Sequence, residues 1–372
     1  MQLSALSSAL HRGSEMLERA FPTPRTLLPL SVGIDISDAS IKWLGLTPFK
    51  DGSHHVVTSG SHALPAGIVS GGIVRDVVAL SQVLRELKPA LHGLHDAHAA
   101  LPEEAAYVFS MYVPEGTPRD QILSLIEFEF EGRVPISPSA AVYDFDIIPG
   151  QHTEGIEVGV SVFPRELAES YAQAFRDAGL TLLSLEIEAR SIARAISHST
   201  DKVILLVDFG LARTGFAVVE HGVPIFTSTV EIGGDALTKA AIDMLSLSPE
   251  DAEKFKNDKG LLATEASEKP VVDAFTATAT ALADEIARQF HYWDTRRNDR
   301  GERLTSVERV VLVGGSSNLN GLEDFIAGKV QAPVRRGNIW HNITSFDDYI
   351  PPIDMRTSLQ YATSAGLALR GV

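Results

Sequence analysis

Residues 33–42, GIDISDASIK, decide the fold that this sequence predicts. An apolar strand ending in Asp35 runs into a tight turn of small residues that begins at Ser37, and a second strand leaves the turn carrying Lys42. Backbone N–H groups in such a turn can hold phosphate oxygens, the aspartate can orient a hydrated Mg²⁺, and the lysine can offset phosphate charge. The stretch also fits a plain β-hairpin with an aspartate in its turn.

The same design recurs in residues 207–214, VDFGLART. An apolar strand ends in Asp208, Gly210 opens a short turn, and the next strand begins at the hydroxyl of Thr214. One such hairpin means little alone. Two of them, far apart in the chain, indicate a pair that grips one polyphosphate between two lobes.

Residues 311–318, VLVGGSSN, form a third candidate. The apolar strand runs into Gly314, Gly315 and Ser316, and paired glycines let a flat base or ribose approach the backbone closely. An ordinary turn after a strand is the alternative interpretation.

A fourth cluster has Gly233, Gly234 and Asp235 at a turn, followed downstream by Glu253 and Lys256. Glu253 and Lys256 lie three residues apart, so on a helix they share a face and could contact the ribose and base of a nucleotide. The alternative is a surface ion pair, which contributes little to stability.

The composition excludes several classes of function. A net charge of −16, from 48 acidic and 32 basic residues, makes nonspecific nucleic-acid binding a poor candidate. The absence of cysteine rules out disulfides, thiolate metal sites and cysteine nucleophiles, and it fits a reducing cytoplasm. His92, His95 and His98 could bind a metal, but the composition around them favours a solvated linker.

The four clusters follow one another in an order similar to that of the actin, Hsp70 and sugar-kinase superfamily. Within it, the sequence resembles the PilM family of type IV pilus assembly proteins, which is related to the division protein FtsA. The resemblance covers about residue 30 to the end. It rests on GID with Lys42, VEIGGD at 230–235, VLVGG at 311–315, VPISP at 134–138 and GLALRG at 366–371.

This resemblance implies an α/β fold of two lobes, the actin-like (ribonuclease H-like) ATPase fold, with an inserted small α+β subdomain. The implied division is a flexible N-terminal tail at 1–29, the first part of subdomain 1A at 30–97, the inserted subdomain 1C at 98–180, a connecting segment of 1A at 181–202, a second lobe at 203–335 with subdomain 2B at about 235–300 beside 2A, and a return to 1A at 336–372.

The resemblance also implies a function. Members of this family are cytoplasmic scaffolds that bind ATP with Mg²⁺ and dock the N-terminal cytoplasmic tail of the inner-membrane protein PilN in a groove beside the inserted subdomain. Asp35 and Asp208 would reach the metal through water. Other inner-membrane and motor proteins of the pilus are further expected partners, the association with the inner membrane runs through these partners, and a homo-oligomer is compatible with the fold.

Hydrolysis is expected to be slow or absent. Glu188, before the helix that connects the lobes, is the candidate for positioning a catalytic water, although an acid at a helix start is also favoured by the helix dipole. The alternatives are an FtsA-like division protein, a cytoplasmic subunit of a type II secretion system and, from another class, a small-molecule kinase. A kinase needs an aspartate base in a substrate pocket, where this chain has the inserted module.

Both hairpins depart from the family pattern. Ser37 stands where the family usually has glycine, so a positive φ there would be strained. Asp38 and Ala39 stand where the family has serines, and Asp38 would place negative charge beside a phosphate. In the second hairpin, Leu211, Ala212 and Arg213 replace small or polar residues. Nucleotide binding is therefore expected to be weak.

Overall fold

The structure is a computed structural model that describes residues 30–49, 52–152, 155–198, 200–297 and 304–371. The tail expected at residues 1–29 lies outside this range. Among the helices of the described residues, none combines the length and apolarity that a membrane span requires.

The described residues form fifteen strands and ten α-helices, besides short 3₁₀ turns. The strands are β1 (Ser31–Ile36), β2 (Ser40–Pro48), β3 (His54–Ala63), β4 (Val69–Ser70), β5 (Ile73–Val74), β6 (Asp96–Leu101), β7 (Tyr107–Val113), β8 (Ala141–His152), β9 (Gly155–Pro164), β10 (Thr181–Ile187), β11 (Val203–Phe209), β12 (Thr214–Glu220), β13 (Val223–Val230), β14 (Arg309–Val313) and β15 (Val334–Arg336). The helices are α1 (Val77–Leu87), α2 (Arg119–Arg133), α3 (Arg165–Ala178), α4 (Glu188–Ile196), α5 (Asp235–Leu245), α6 (Pro249–Asp258), α7 (Lys269–Thr295), α8 (Leu322–Val330), α9 (Met355–Ser358) and α10 (Ala362–Ala368).

Two five-stranded sheets form the two lobes, and they share one topology. The first has the order β10-β6-β1-β2-β3 and the second β13-β12-β11-β14-β15. In each sheet the three strands that come first in the chain are antiparallel neighbours: β1, β2 and β3 in the first sheet, and β11, β12 and β13 in the second. The two strands that come later in the chain, β6 with β10 and β14 with β15, run parallel to β1 and β11 respectively. The strands β1 and β11 therefore occupy equivalent central positions, and each ends in a hairpin turn.

The sequence explains where several helices begin and end. The side chain of Asp76 caps α1 by accepting from the N–H of Ala79, and Ser248 caps α6 before a proline. Gly179 ends α3 in the left-handed conformation, as predicted. Helix α2 has no side-chain cap: Pro118 stands at its N-cap position, and the hydroxyl of Thr117 donates to the carbonyl of Pro114.

Helices α4 and α10 connect the two lobes. Helix α4 packs against strands of both sheets, and α10 packs against α4 and β1. At Gly33 in β1, a Cβ atom would strike the backbone of Ser364 and Ala368, so a residue with a side chain would hold α10 away from the sheet. The two helices thus form a tightly packed base from which the two sheets diverge.

The inserted module is a three-stranded antiparallel sheet, β7-β9-β8, covered by α2. Phe109, Ile126 and Phe130 lie in its separate core. Helix α3, which the sequence analysis counted with the module, differs from that expectation: its apolar face, with Tyr171 and Phe175, is buried in the core of the first lobe.

One sequence-based interpretation is wrong in the first lobe. The histidine-rich stretch was expected to be a solvated linker through His98, but β6 begins at Asp96 and continues to Leu101. His98 is buried in this strand, and its Nδ1 forms a 2.7 Å hydrogen bond with the hydroxyl of Ser184 in β10. The sequence did not predict this strand, because it consists of small apolar residues around a histidine and lacks a clear alternation of apolar and polar residues.

Candidate functional site

A cavity of about 360 Å³ lies between the lobes, where the turns after β1 and β11 face each other. The predicted residues that line it are Asp35, Ser37, Lys42, Glu188, Asp208, Gly210, Glu253, Lys256, Gly314, Gly315 and Ser316. All four sequence clusters therefore converge on one space, although they span more than half of the chain.

The first turn is held by its own serines. The N–H of Ser37 donates to the carbonyl of Ser40 at 2.9 Å, and the N–H of Ser40 donates back to the hydroxyl of Ser37 at 3.2 Å. Lys42, opposite Asp35 across the hairpin, donates to the Ser40 hydroxyl at 2.8 Å. Ser37 is not among the residues of positive φ, so the anticipated strain does not arise.

The second turn is fixed by groups from elsewhere in its own lobe. The carbonyl of Gly210 accepts from the N–H of Gly234 at 3.0 Å and from the hydroxyl of Ser316 at 2.9 Å. The N–H of Asp235 donates to the carbonyl of Leu211 at 2.9 Å. The start of α5 and the loop after β14 therefore set the position of this turn.

Four of the predicted residues support the cavity without lining it. Thr214 is fully buried, and its hydroxyl donates to the carbonyl of Ile232. Gly233 packs against the backbone of the second turn, and Gly234 donates to it as described. Asp235 pairs with Lys239 on the surface of α5.

The glycine loop after β14 approaches the second aspartate closely. Gly314 has a φ of 84°, and a Cβ there would strike both the Asp208 carboxylate and the backbone of Phe209. Its N–H donates to the carbonyl of Leu359, which comes from the segment before α10. Gly314 thus brings the C-terminal segment and the second turn together at one edge of the cavity.

Glu253 and Lys256 share a face of α6, as their spacing predicted. Their ion pair spans 2.5 Å, and the Lys256 side chain is only 2% exposed, so the pair is largely buried on the lysine side. Thr238 is a further hydrogen-bond partner of both. The surface ion pair considered as an alternative does not describe this arrangement.

Four carboxyl groups meet at the base of the cavity: Asp35, Glu103, Glu188 and Asp208. Burial raises the pKa of Asp35, against the opposing charge of Lys42. Burial and then the charge of Asp35 raise the pKa of Asp208 to about 6. Burial and then Asp208 raise the pKa of Glu103 to about 8. Burial, followed by the other three carboxyl groups, raises the pKa of Glu188 well above its usual range.

Glu103 is a site residue that sequence reasoning missed. The N–H of Ala189 donates a hydrogen bond to the Glu103 carboxyl, and the N–H of Glu103 donates one to the Glu188 carboxyl. These two bonds connect the 3₁₀ turn that contains Glu103 to the start of α4. In the sequence it stands in Pro-Glu-Glu-Ala-Ala, which carries no pattern typical of a site. Only the fold of the first lobe brings it to the cavity.

Asp38, which is expected to place negative charge beside a phosphate, has partners of its own in the structure. Its carboxylate accepts from the N–H groups of Gly71 and Gly72 at 3.0 Å each. It also forms an ion pair with Arg213, and Arg213 pairs in turn with Glu104. Asp38 in the first turn and Arg213 in the second, both departures from the family pattern, therefore contact each other across the cavity.

The described residues offer no cluster of side chains for direct metal ligation. Within the part of the chain that the structure describes, no group of three or more histidine, aspartate and glutamate side chains is arranged to hold a metal ion. The histidines at 92, 95 and 98 form no such group either. The carboxyl groups at the base of the cavity could contact a cation through water.

This architecture, with two sheets of one topology and a cavity between their hairpin turns, defines the two-lobed actin-like class. The family model "Type IV pilus assembly protein PilM" matches residues 33–372, and the chain belongs to that family. A search of curated protein sequences gives no match.

Solved structures agree on the fold. A chain of the "PilM-PilN type IV pilus biogenesis complex" is 22% identical, with a TM-score of 0.74, covering 94% of this chain and 99% of that one. The ethanolamine utilization protein EutJ from Carboxydothermus hydrogenoformans is 19% identical with a TM-score of 0.53, covering 94% and 91%. MreB5 of Spiroplasma citri bound to AMPPNP is 10% identical with a TM-score of 0.52, covering 92% and 95%.

The buried carboxyl groups make stability depend on pH. Burial and then the charge of Asp208 raise the pKa of Glu103 from 4.5 to about 8, so between these values the folded state holds more protons and the free energy of unfolding falls as pH rises. We expect Glu103→Gln to remove that fall, because the amide carries no charge. The interval from 4.5 to about 8 spans roughly 3.5 pKa units of about 1.4 kcal/mol each, so we expect a gain on the order of 5 kcal/mol at pH 8 and little below pH 4.5.

Thermal unfolding of wild type and Glu103→Gln between pH 4 and pH 9 measures this. Glu86→Gln, at an exposed position on α1, is the control and should follow wild type at every pH. A constant difference between Glu103→Gln and wild type across the pH range would contradict the assignment of the raised pKa to Glu103.

Proposed function

We propose that this protein binds an adenine nucleotide with Mg²⁺ between its lobes. The observation that carries the proposal is the pair of hairpin turns, one from each sheet, that place Asp35 and Asp208 at one cavity. Turns of this kind present backbone N–H groups to phosphate oxygens. MreB5, which has a similar fold, is bound to AMPPNP in its solved structure.

The electrostatics of the cavity fit a cation. Burial raises the pKa of Asp35, and burial followed by the charge of Asp35 raises the pKa of Asp208, so positive charge between them would stabilise their ionised forms. Mg²⁺ usually keeps several of its waters and takes one or two carboxylates. We therefore assign Asp35 and Asp208 to hold Mg²⁺ through water, and the cation would neutralise phosphate charge.

The remaining predicted residues divide between phosphate and nucleoside. Lys42 beside the first turn would offset phosphate charge, while Gly314 and Gly315 offer open backbone to a base or ribose. The Glu253–Lys256 pair, in which only the lysine is buried, lies at the same cavity and would hydrogen-bond the nucleoside.

Hydrolysis should be slow. Glu188 is the candidate acid for positioning a water, but burial, followed by the charges of Asp35, Glu103 and Asp208, raises its pKa well above its usual range and so favours the protonated carboxyl. A protonated carboxyl cannot accept a proton from water. In this protein the binding of the nucleotide, rather than its hydrolysis, would therefore have the functional effect.

The binding state would act within a scaffold of type IV pilus assembly. The chain belongs to the PilM family, and the similar solved chain is part of a PilM–PilN complex. We assign the partner as the N-terminal cytoplasmic tail of a PilN-like inner-membrane protein, which would place this chain at the cytoplasmic face of that membrane. Nucleotide would change the closure of the lobes and so the affinity for the tail.

The inserted module offers a docking surface. An open groove of about 750 Å³ runs beside α2 and is lined by Pro114, Thr117, Gln121, Ser124, Leu125, Glu127, Phe128 and Pro138. Phe128 is 88% exposed, which is unusual for so large an apolar side chain. The groove combines apolar contacts with one acid, so it suits an apolar segment that carries a basic residue.

Calorimetric titration with ATP and Mg²⁺ tests the nucleotide site. We expect wild type to bind and Asp208→Asn to weaken affinity about tenfold, because it removes a carboxylate that faces the cation. Glu220→Gln is the control, since burial raises the pKa of Glu220 to about 7 but it lies outside the cavity. Absence of binding to folded wild type would contradict the proposal.

Fluorescence anisotropy with the labelled tail peptide tests the groove. We expect Phe128→Ala to weaken peptide affinity about tenfold, because large exposed aromatic residues often dominate binding. Val78→Ala on α1, which removes an apolar side chain that is 74% exposed, is the matched control and should bind as wild type. Equal affinities of all three proteins for the peptide would contradict the assignment of this groove as the docking surface.

A further inference from the structure

Arg213 joins the two lobes across the cavity. It lies in the turn between β11 and β12, and its guanidinium contacts Asp38 in the turn between β1 and β2. It also contacts Glu104 in the 3₁₀ turn Glu103–Ala105 of the first lobe. We call Asp38, Glu104 and Arg213 the interlobe clasp. About a quarter of each side chain is exposed, so water reaches the clasp.

The two acids of the clasp can release the arginine at little cost. Asp38 keeps the N–H groups of Gly71 and Gly72 as partners, and the Tyr171 hydroxyl donates to the Gly72 carbonyl at 2.9 Å, which holds this backbone in place. Glu104 is exposed enough to turn toward solvent. Partly exposed ion pairs contribute little to stability, so a stronger anion can displace both carboxylates.

The other cations of the cavity are differently engaged. Among the described residues that line it, Lys42 donates to Ser40 within the first turn, and Lys256 is buried against Glu253. The guanidinium of Arg213 reaches from the second turn to the first, and its partners are carboxylates. Arginine binds phosphate with two parallel hydrogen bonds, a geometry in which phosphate replaces a carboxylate directly.

We propose that Arg213 distinguishes a nucleoside triphosphate from a diphosphate by exchanging its ion pairs with Asp38 and Glu104 for the terminal phosphate. The inference rests on the proposed nucleotide binding. A diphosphate leaves the clasp in place, whereas the third phosphate between the turns takes the arginine from it. Asp38 competes with that phosphate for Arg213, so its charge sets how strongly triphosphate is preferred.

Titration of ADP and of the non-hydrolysable AMPPNP, each with Mg²⁺, tests the exchange. We expect Arg213→Gln to weaken AMPPNP binding about tenfold and ADP binding less than about threefold. Asp38→Asn should strengthen AMPPNP binding about threefold and leave ADP unchanged, because it removes one of the two carboxylates that compete for Arg213. The control is Arg336→Gln, whose ion pair with Glu323 is similarly exposed but does not line the cavity. It should match wild type with both nucleotides.

Equal effects of Arg213→Gln on the two nucleotides, or weaker AMPPNP binding by Asp38→Asn, would overturn the role of Arg213 while leaving nucleotide binding intact. If neither wild type nor any folded variant bound a nucleotide, the proposed function would fail and this inference with it. Thermal unfolding of each variant shows that it is folded. Should Arg213→Gln not fold, Asp38→Asn tests the role of Arg213 alone: stronger AMPPNP binding supports that role, and unchanged or weaker AMPPNP binding overturns it.

Discussion

Repulsion among four carboxyl groups is the constraint on which the centre of this molecule depends. Asp35 and Glu103 come from the first lobe, Asp208 from the second, and Glu188 from the start of the helix that packs against both sheets. Burial, followed by repulsion from the neighbouring carboxyl groups, raises the pKa values of Glu103, Glu188 and Asp208, so the folded chain keeps protons that the unfolded chain releases at lower pH. A protein that keeps such a cluster gains from a bound cation, and this is the physical reason for assigning a nucleotide with Mg²⁺ to the cavity.

The repeated topology brings these groups together. Because β1 and β11 are central strands of equivalent sheets, the aspartate at the end of each points to the same cavity once α4 and α10 join the lobes. Close backbone contacts at Gly33 and Gly314 hold this arrangement, since neither position has room for a side chain. The two turns face each other across the cavity and are connected by Arg213. The cavity and the contact between the lobes therefore share residues.

The sequence predicted the class of fold and the hairpin motifs well, because each hairpin is a local pattern of apolar strand, aspartate and small residues. It did not predict Glu103, which has no local signature and reaches the cavity through the fold of the first lobe. The pairing of Asp38 with Arg213 was also missed, since the two residues lie 175 positions apart and each seemed only a departure from a pattern. His98 was misplaced because strand β6 has weak alternation and a histidine at its centre.

The central claim is that a nucleotide between the lobes changes their separation. The chain contains no cysteine, so single cysteines can be introduced at Val78 on the first lobe and Met244 on the second, both exposed, and spin-labelled. Double electron–electron resonance then gives the distance between the labels with and without saturating ATP and Mg²⁺. The account predicts a shorter and narrower distance distribution with nucleotide. An unchanged distribution, under conditions in which calorimetry shows full binding, would contradict it.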